Sequence, residues 1–409
     1  MSRAQDWLAE NVGLENFKGG FARASKLISP TAQKIQKNHK VVTIAGTNGK
    51  GQVACQLSEL LERKDLKVAC WTSPHLLNVS ERFYFSDINY TDEDLIEVFK
   101  QHIDVLKENP SYYEFLFYIF CQLCLENNFD VLILEVGLGG RLDAVNVFDA
   151  DFTAITSISL DHQEVLGSEL TGIFAEKWGI ARSGAPMFSV LHQDELQKMA
   201  QQMASEQDIL WLDLLCADIV DMQQSYWERN STLACALALV VEGHKVEELP
   251  AFREQLRTSP HGSLRSTKGR FEEMTSGGVR FIFVGAHNCD GLQNLVGEIE
   301  KRWPQAGPIF DEVWISFSQR PEDEIEVFFK ALANLNSRTQ SWRYCRFEHP
   351  KALRWQSIDV TKWRLWSQVL NPPIQELFLD RALREKPKSG TILVTGSYYF
   401  IGEVQKFLL

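Results

Sequence analysis

Six short runs of β-branched and apolar residues are separated by longer stretches of helical periodicity: KVVTIAG (40–46), LKVACWT (66–72), DVLILEV (130–136), FTAITSI (152–158), PMFSVL (186–191) and DILWLD (208–213). Strands that are apolar on both faces and spaced by helices predict a parallel sheet covered on both sides, the doubly wound α/β architecture. A second series, VRFIFVG (279–285), DEVWIS (311–316), WRYCRF (342–347) and TILVTGSYYFIGEV (391–404), follows a looser stretch, RTSPHGSLRSTKGR (257–270). Two doubly wound α/β domains with a cleft between them are therefore expected, residues 1–258 and a smaller one over 259–409.

The formal net charge of −12 argues against a binder of phosphate backbones, which carries clustered excess Lys and Arg. No nucleic-acid partner is expected. The first residues, MSRAQDWLAENVGLENF, are polar and amphipathic, and no stretch approaches the roughly 18 uninterrupted apolar residues of a membrane span, so the cytoplasm is the expected location. Eight cysteines are too sparse for a disulfide framework. Cys121 and Cys124 form a CxxC, but inside the apolar helical stretch EFLFYIFCQLCLENN, which favours core packing over metal or redox chemistry.

One stretch carries chemistry by itself. In TIAGTNGKGQVACQL (43–57) a strand runs into Gly46-Thr47-Asn48-Gly49-Lys50-Gly51 and then into a helix. Glycines there permit unusual backbone angles while amide N–H groups at the helix N-terminus face an anion, and Lys50 reaches the outer phosphates of a nucleotide. The general phosphate-loop pattern G-x-x-x-x-G-K-[ST] is broken twice, by Ile44 at the first glycine and by Gly51-Gln52 after the lysine. Four further stretches sit at or just after expected strand ends: WTSPHLLNVSERF (71–83), LEVGLGGRLDAVN (134–146), TSISLDHQEVLG (156–167) and AEKWGIARSG (175–184). In open parallel sheets ligands lie beyond the carboxyl ends of the strands, so these loops are expected to converge on the Gly-rich loop.

With these motifs in this order, and with GRF (269–271), GAHN (285–288) and VTGSYYFIGEV (394–404) further on, the chain resembles the folylpolyglutamate synthase and dihydrofolate synthase group of the Mur ligase superfamily. The resemblance implies an N-terminal phosphate-loop ATPase-like Mur ligase central domain and a smaller Rossmann-like C-terminal domain. It also accounts for the missing upstream glycine, because the group's cradle reads GTNGKG followed by Ser or Thr. Gln52 is the departure.

Residue by residue, the resemblance implies ATP contacts from Gly46, Thr47, Asn48, Gly49, Lys50, Gly51 and the Gln52 position, with Asn230 near the adenine and Arg270 and His287 closing over the nucleotide. Magnesium contacts are implied for Ser73, Glu135 and His162. Lys177 stands where the group often carries a carbamylated lysine that helps hold a second magnesium ion. Catalytic roles thus fall to Lys50, His162 and Lys177, and Asp161 could orient His162. Taken singly, the same residues also read as a helix cap (Ser73), a strand-end ion-pair partner (Glu135), turn histidines (His162, His287), a helix-surface lysine (Lys177), a helix N-cap (Asn230) and a surface arginine (Arg270). Arg82 and Arg141 are candidates for binding anionic substrates, with surface ion pairing as the alternative.

The implied reaction transfers the γ-phosphoryl group of ATP to a pteroate or folate carboxylate, after which the amine of L-glutamate displaces phosphate from the acyl phosphate. A cytoplasmic monomer working on small molecules alone is expected. Two further departures stand in the second domain: Val284 replaces the usual Asp before GAHN, and WISFSQRPEDE (314–324) replaces a strand end followed by Asp-Lys-Asp. They keep open a ligase diverged to another acid and amino acid, or a non-catalytic nucleotide-binding homologue. Trp342, Trp355, Trp363 and Trp366 offer a surface for stacking a flat ring, with core packing the more economical reading.

Overall fold

The computed structural model describes residues 3–15, 20–258, 268–354 and 358–409. The chain divides into two compact units, Met1–Arg265 and Ser266–Leu409. The expected boundary after residue 258 adjoins residues 259–267, which lie outside the described residues.

The first unit holds an eight-stranded sheet made of β1 (Lys40–Ala45), β2 (Val68–Trp71), β3 (Phe83–Phe85), β4 (Ile88–Asn89), β5 (Val131–Glu135), β6 (Phe152–Ile155), β7 (Pro186–Ser189) and β8 (Leu210–Asp213). Their order is β4-β3-β2-β5-β1-β6-β7-β8. All six strands expected from the apolar runs form, and they pair in parallel. Every residue of β5 and all but the first of β1 are buried, as a sheet covered on both faces requires. The sheet is not wholly parallel: β3 and β4 add an antiparallel edge beside β2. They are too short, at three and two residues, to leave a periodic signal, and a tight turn suffices to join antiparallel neighbours.

The second unit holds β9 (Arg270–Ser276), β10 (Val279–Gly285), β11 (Glu312–Ser316), β12 (Trp342–Arg346), β13 (Gln375–Phe378) and β14 (Gly390–Gly396), in the order β13-β12-β11-β14-β10-β9. Five strands are parallel, and β9 is antiparallel to β10. Its strand β9 alternates between half-buried and exposed positions, which is why the apolar runs gave no sign of it.

Cys121 and Cys124 lie in the helix Tyr112–Glu126, both buried, with burial pushing both thiols up; they pack in the core. Trp342, Trp363 and Trp366 are buried in the core of the second unit, Trp363 edge-on to Phe329 and Tyr344. None of these three offers a stacking face, and Trp355 lies outside the described residues. Among the described residues no helix is long and apolar enough to cross a membrane.

Candidate active site

The direction of the chain changes at β1. The crossover from β1 goes to β2 on one side, past β5, and the crossover from β5 goes to β6 on the other, so the carboxyl end of β1 is a topological switch point. Register then brings the loops together: Ile44 stands beside Glu135, Trp71 beside Leu134, and Ala45 beside Ile155. The loops that begin with Gly46, Thr72, Val136 and Thr156 therefore leave the sheet at one level.

Gly46-Thr47-Asn48-Gly49 connects β1 to the helix Lys50–Glu62. Gly49 is the N-cap of that helix, left-handed with φ 84°, and supplies no side-chain cap, so the first-turn N–H groups are directed outward as an anion cradle. Gly46 has φ 143°, and a Cβ there would lie 1.9 Å from Thr156 Oγ1. Lys50 Nζ donates to the carbonyls of Gly46 and Thr47, each at 3.2 Å, which puts its charge at the mouth of the loop.

The loop after β6 fixes this conformation. Thr47 N donates to Ser157 O at 2.7 Å, Asn48 N donates to Ser157 Oγ at 3.2 Å, and Thr156 Oγ1 donates to Asn48 O at 2.6 Å. Thr47 Oγ1 and Ser159 close the set through a donated bond to Ser159 O and an accepted bond from Ser159 N. Thr156, Ser157 and Ser159 were not singled out by sequence. Their one signal is a Thr-x-x-Ser polar cluster directly after a buried strand at the switch point.

Glu135 is buried at the end of β5 and accepts from Ser73 N at 2.9 Å, so the structure brings these two expected metal contacts together. His162 is 46% exposed in its side chain and left-handed, its ring 4.0 Å from Asp161 and 3.6 Å from Glu164. Buried Asp161 accepts from His162 N at 3.0 Å. Among the described residues no three His, Cys, Asp or Glu side chains cluster as a metal cage. The donors that do meet, hydroxyl-bearing Ser73 and the Glu135 carboxylate, are hard oxygen ligands of the kind magnesium takes, one or two from protein with phosphate oxygens and water completing the shell.

Lys177, in the helix Leu170–Trp178, is only 4% exposed and donates to Gly46 O at 2.9 Å beneath the loop. Burial pulls its pKa down to about 7 and the nearby Lys50 adds to this, against the opposing carboxylates of Asp161 and Asp143. Between pH 7 and 10.5 the folded chain thus binds fewer protons here than the unfolded chain, and stability rises with pH across that window. In CO2-free buffer, wild type is expected to gain stability relative to Lys177→Met over this range and to run parallel to it below pH 7. Parallel melting curves from pH 7 to 10 would show that Lys177 is not desolvated.

Five residues around these loops are taken up by structural contacts. Tyr113 accepts from Trp71 Nε1 at 3.0 Å and faces Asp143 at 3.3 Å, and Asp143 accepts from the backbone of Gly137, Leu138 and Val145. Burial lifts the Asp143 carboxyl to about 6 against those donors. Together they shape the loop that follows Glu135. Glu114 is the capping-box acid of its helix and takes a two-pronged ion pair from Arg23. Arg82 is fully buried, with its Nη2 donating to both carboxylate oxygens of Glu15 and its Nε to His75 Nδ1, and Arg141 pairs with Glu176 at the surface. Arg141 is thus ion-paired at the surface, whereas Arg82 makes its ion pair in the interior.

Gln52 and Asn230 meet. Gln52 is 1% exposed; its Oε1 accepts from Asn230 Nδ2 at 2.9 Å and its Nε2 donates to Trp227 O at 2.9 Å. Asn230 belongs to the helix Tyr226–Val241, whose N-cap is Ser225, and lies directly against Gly49.

In the second unit, Arg270 and His287 gather round Tyr398, the guanidinium 5.8 Å from the ring centre and the imidazole ring 5.6 Å from it. Asn288 caps the helix Cys289–Arg302 by accepting from Gly291 N at 2.8 Å. Val284 is buried in the apolar core, opposite Arg270 across the β9–β10 pair. Restoring an acid there is expected to be unfavourable: Val284→Asp exchanges a packed aliphatic group for a desolvated carboxylate and should cost about 2 kcal/mol in urea unfolding even with Arg270 opposite. An unchanged unfolding midpoint would mean that Arg270 turns to pair with it. The loop after β11 is tied down as well, with Ser318 Oγ 2.8 Å from Ser397 Oγ, and Gln319 bound to the backbone of Lys351 and Arg354.

The first unit has the doubly wound sheet and the Gly-rich strand-to-helix loop of the phosphate-loop α/β class. No protein-family model matches the chain. It is 35% identical over 402 residues to the dihydrofolate synthase/folylpolyglutamate synthase of Buchnera aphidicola subsp. Baizongia pistaciae, covering 90% of this chain and 86% of that one. With a folylpolyglutamate synthase of Arabidopsis thaliana it shares 29% over 282 residues, 62% of this chain and only 49% of that protein. The Escherichia coli FolC in complex with DHPP and ADP superposes with a TM-score of 0.73 at 25% identity, over 99% of this chain and 97% of that one. The bifunctional synthase of Yersinia pestis complexed with AMPPNP and Mn ion gives 0.73 at 25%, over 100% and 98%. The chain belongs to the dihydrofolate synthase/folylpolyglutamate synthase family.

Proposed function

We propose that the protein is an ATP-dependent amide ligase that adds L-glutamate to the carboxylate of a pteroate or folate. The observation that carries this reading is the cradle: uncapped first-turn N–H groups, Lys50 at the loop mouth, and the Ser73–Glu135 pair beside it, in a member of this family. A carboxylate is a poor electrophile toward an amine, so the reaction needs activation. Transfer of the γ-phosphoryl group breaks its bond to ADP and forms an acyl phosphate. The glutamate amine then attacks the acyl carbon, phosphate leaves, and the amine proton passes to solvent or a nearby base.

In this scheme the loop N–H groups and Lys50 hold the phosphates and stabilise the charge that builds on the transferring group. Ser73 and Glu135, with His162 at the rim, would hold magnesium, which supplies charge neutralisation and orientation of phosphate oxygens. The neutral amine that burial favours on Lys177 is also the form that combines with CO2 to give a carbamate with release of a proton, so carbamylation and a second ion belong to the same proposal. So do a nucleotide role for Asn230, Arg270 and His287, the assignment of the two units as ATP-binding and glutamate-ligase domains, a monomeric state and a cytoplasmic location.

The test is phosphate release by the purified protein with ATP, magnesium and L-glutamate, with and without dihydropteroate or tetrahydrofolate. Release that requires both glutamate and the pterin acid, with a product heavier by one glutamyl residue, supports the ligase and identifies its acceptor. Val284 and the tied β11 loop favour one second reading, a ligase of the same mechanism with another amino acid. Release with a different amino acid in place of glutamate would select it.

A further inference from the structure

Position 52 breaks the phosphate-loop spelling, yet its side chain is neither idle nor directed at the phosphates. Gln52 Nε2 donates to Trp227 O at 2.9 Å and stands 3.4 Å from Gln56 Oε1. Gln56 Nε2 in turn donates to Ser231 Oγ at 2.9 Å, and Ser231 Oγ donates to Trp227 O at 3.0 Å. With both nitrogens so committed, the Gln52 carbonyl oxygen is oriented toward Asn230 Nδ2 at 2.9 Å. All of this lies between the helices Lys50–Glu62 and Tyr226–Val241, and Gln52, Gln56, Asn230 and Ser231 are all buried.

The relay ends on the phosphate loop. A Cβ at Gly49 would meet Asn230 Nδ2 and Tyr226 Oη, each at 2.3 Å, so these two side chains abut the left-handed residue that starts the phosphate helix. The β6 loop holds residues 47 and 48 from the other side. We propose that Gln52 is a positioning residue for nucleotide binding: it orients Asn230 against Gly49 and so holds the anion cradle in its binding conformation, the hydroxyl expected at this point being replaced by an interhelix amide lock. A serine here would be too short to span to Trp227 and Asn230. The inference rests on the nucleotide-site reading of the Gly-rich loop.

The experiment measures MgADP affinity by calorimetry, and the thermal midpoint, for the full-length protein and for Gln52→Met, Asn230→Ala, their double variant, Gln56→Met and Gln52→Glu. Gln52→Met keeps the length and removes the hydrogen bonds. It is expected to weaken MgADP about tenfold, with the double variant no worse than the weaker of the two singles, since residues acting through one contact are not additive. Gln56→Met, one step further from the loop, should lower the thermal midpoint while leaving MgADP affinity within about twofold of wild type. Gln52→Glu, protonated by its burial, reproduces both the acceptor toward Asn230 and the donor toward Trp227 and should bind within about threefold of wild type.

Wild-type affinity in Gln52→Met, multiplied losses in the double variant, or an equal loss in Gln56→Met at equal stability would each overturn the proposal. If Gln52→Met does not fold, Gln52→Glu decides: a tenfold loss there refutes the positioning role. Wild type that fails to bind MgADP at all would refute the nucleotide-site reading instead.

Discussion

Lys50→Ala is expected to lower the rate of ligation about a thousandfold with the fold intact, the size typical of removing a charge-stabilising donor from a preorganised site. The reason lies in where the ammonium is held. It donates to the carbonyls of Gly46 and Thr47, so the lysine braces the loop from within, and in the proposed mechanism its charge meets the outer phosphates. Its removal should therefore be felt in kcat, where phosphoryl charge builds, more than in stability. Beneath it Lys177 donates to the same Gly46 carbonyl, and the charge of Lys50 helps to hold the Lys177 pKa down, so the alanine variant should also raise the pKa of Lys177. Phosphate release under saturating ATP is the measurement, with circular dichroism as the control for folding. A variant retaining more than a tenth of wild-type turnover would sink the mechanism proposed for this loop.

The Gly46→Ala variant is expected to lose nucleotide binding altogether on the scale of a calorimetric titration and to be about 2–4 kcal/mol less stable. Two effects act together at this position. The backbone has φ 143°, which side-chain-bearing residues rarely adopt, and the new methyl would lie 1.9 Å from Thr156 Oγ1 and 3.0 Å from Thr156 N. The hydroxyl could turn away only by giving up its 2.6 Å bond to Asn48 O, which is one of the bonds that hold the loop. The backbone nitrogen cannot turn away, because it donates to Ala45 O within the sheet continuation. At Gly49, by contrast, the obstructing atoms are the ends of Asn230 and Tyr226 side chains, so the corresponding change is less severe unless the Gln52 relay holds them. MgADP binding by the Gly46→Ala variant at wild-type affinity would mean that the loop conformation described here is not the binding one.

Much of the fold was legible because its determinants are local. Each of the ten strands named from apolar runs exists, since a strand covered on both faces must be apolar throughout and such a run is visible within four to seven residues; β8, at the edge and partly exposed, was found by its apolar residues alone. The strands that escaped notice, β3, β4, β9 and β13, are short or lie at sheet edges where polar residues are tolerated. At the site, the Gly-rich loop and the convergence of the loops after β1, β2, β5 and β6 followed from motif order and from the rule for parallel sheets. Which side chains meet did not follow. Arg82 gave no sign that Glu15 would neutralise it, nor Asp143 that it would spend its oxygens on its own loop, nor Val284 that it would lie in the core opposite Arg270.

The sequence by itself determined the α/β class, the Gly-rich loop at the end of β1 and the family, because each rests on residues close together in the chain or on motifs in a fixed order. Only the tertiary structure decided what Gln52 is for. Its partner Asn230 stands 178 positions away, and no local pattern can register a hydrogen bond between two helices that the sheet brings side by side. A departure from a motif reads as a defect when only the motif is in view. Packed between helices, the same residue is a fully bonded amide, and burial makes those bonds too costly to leave unmade.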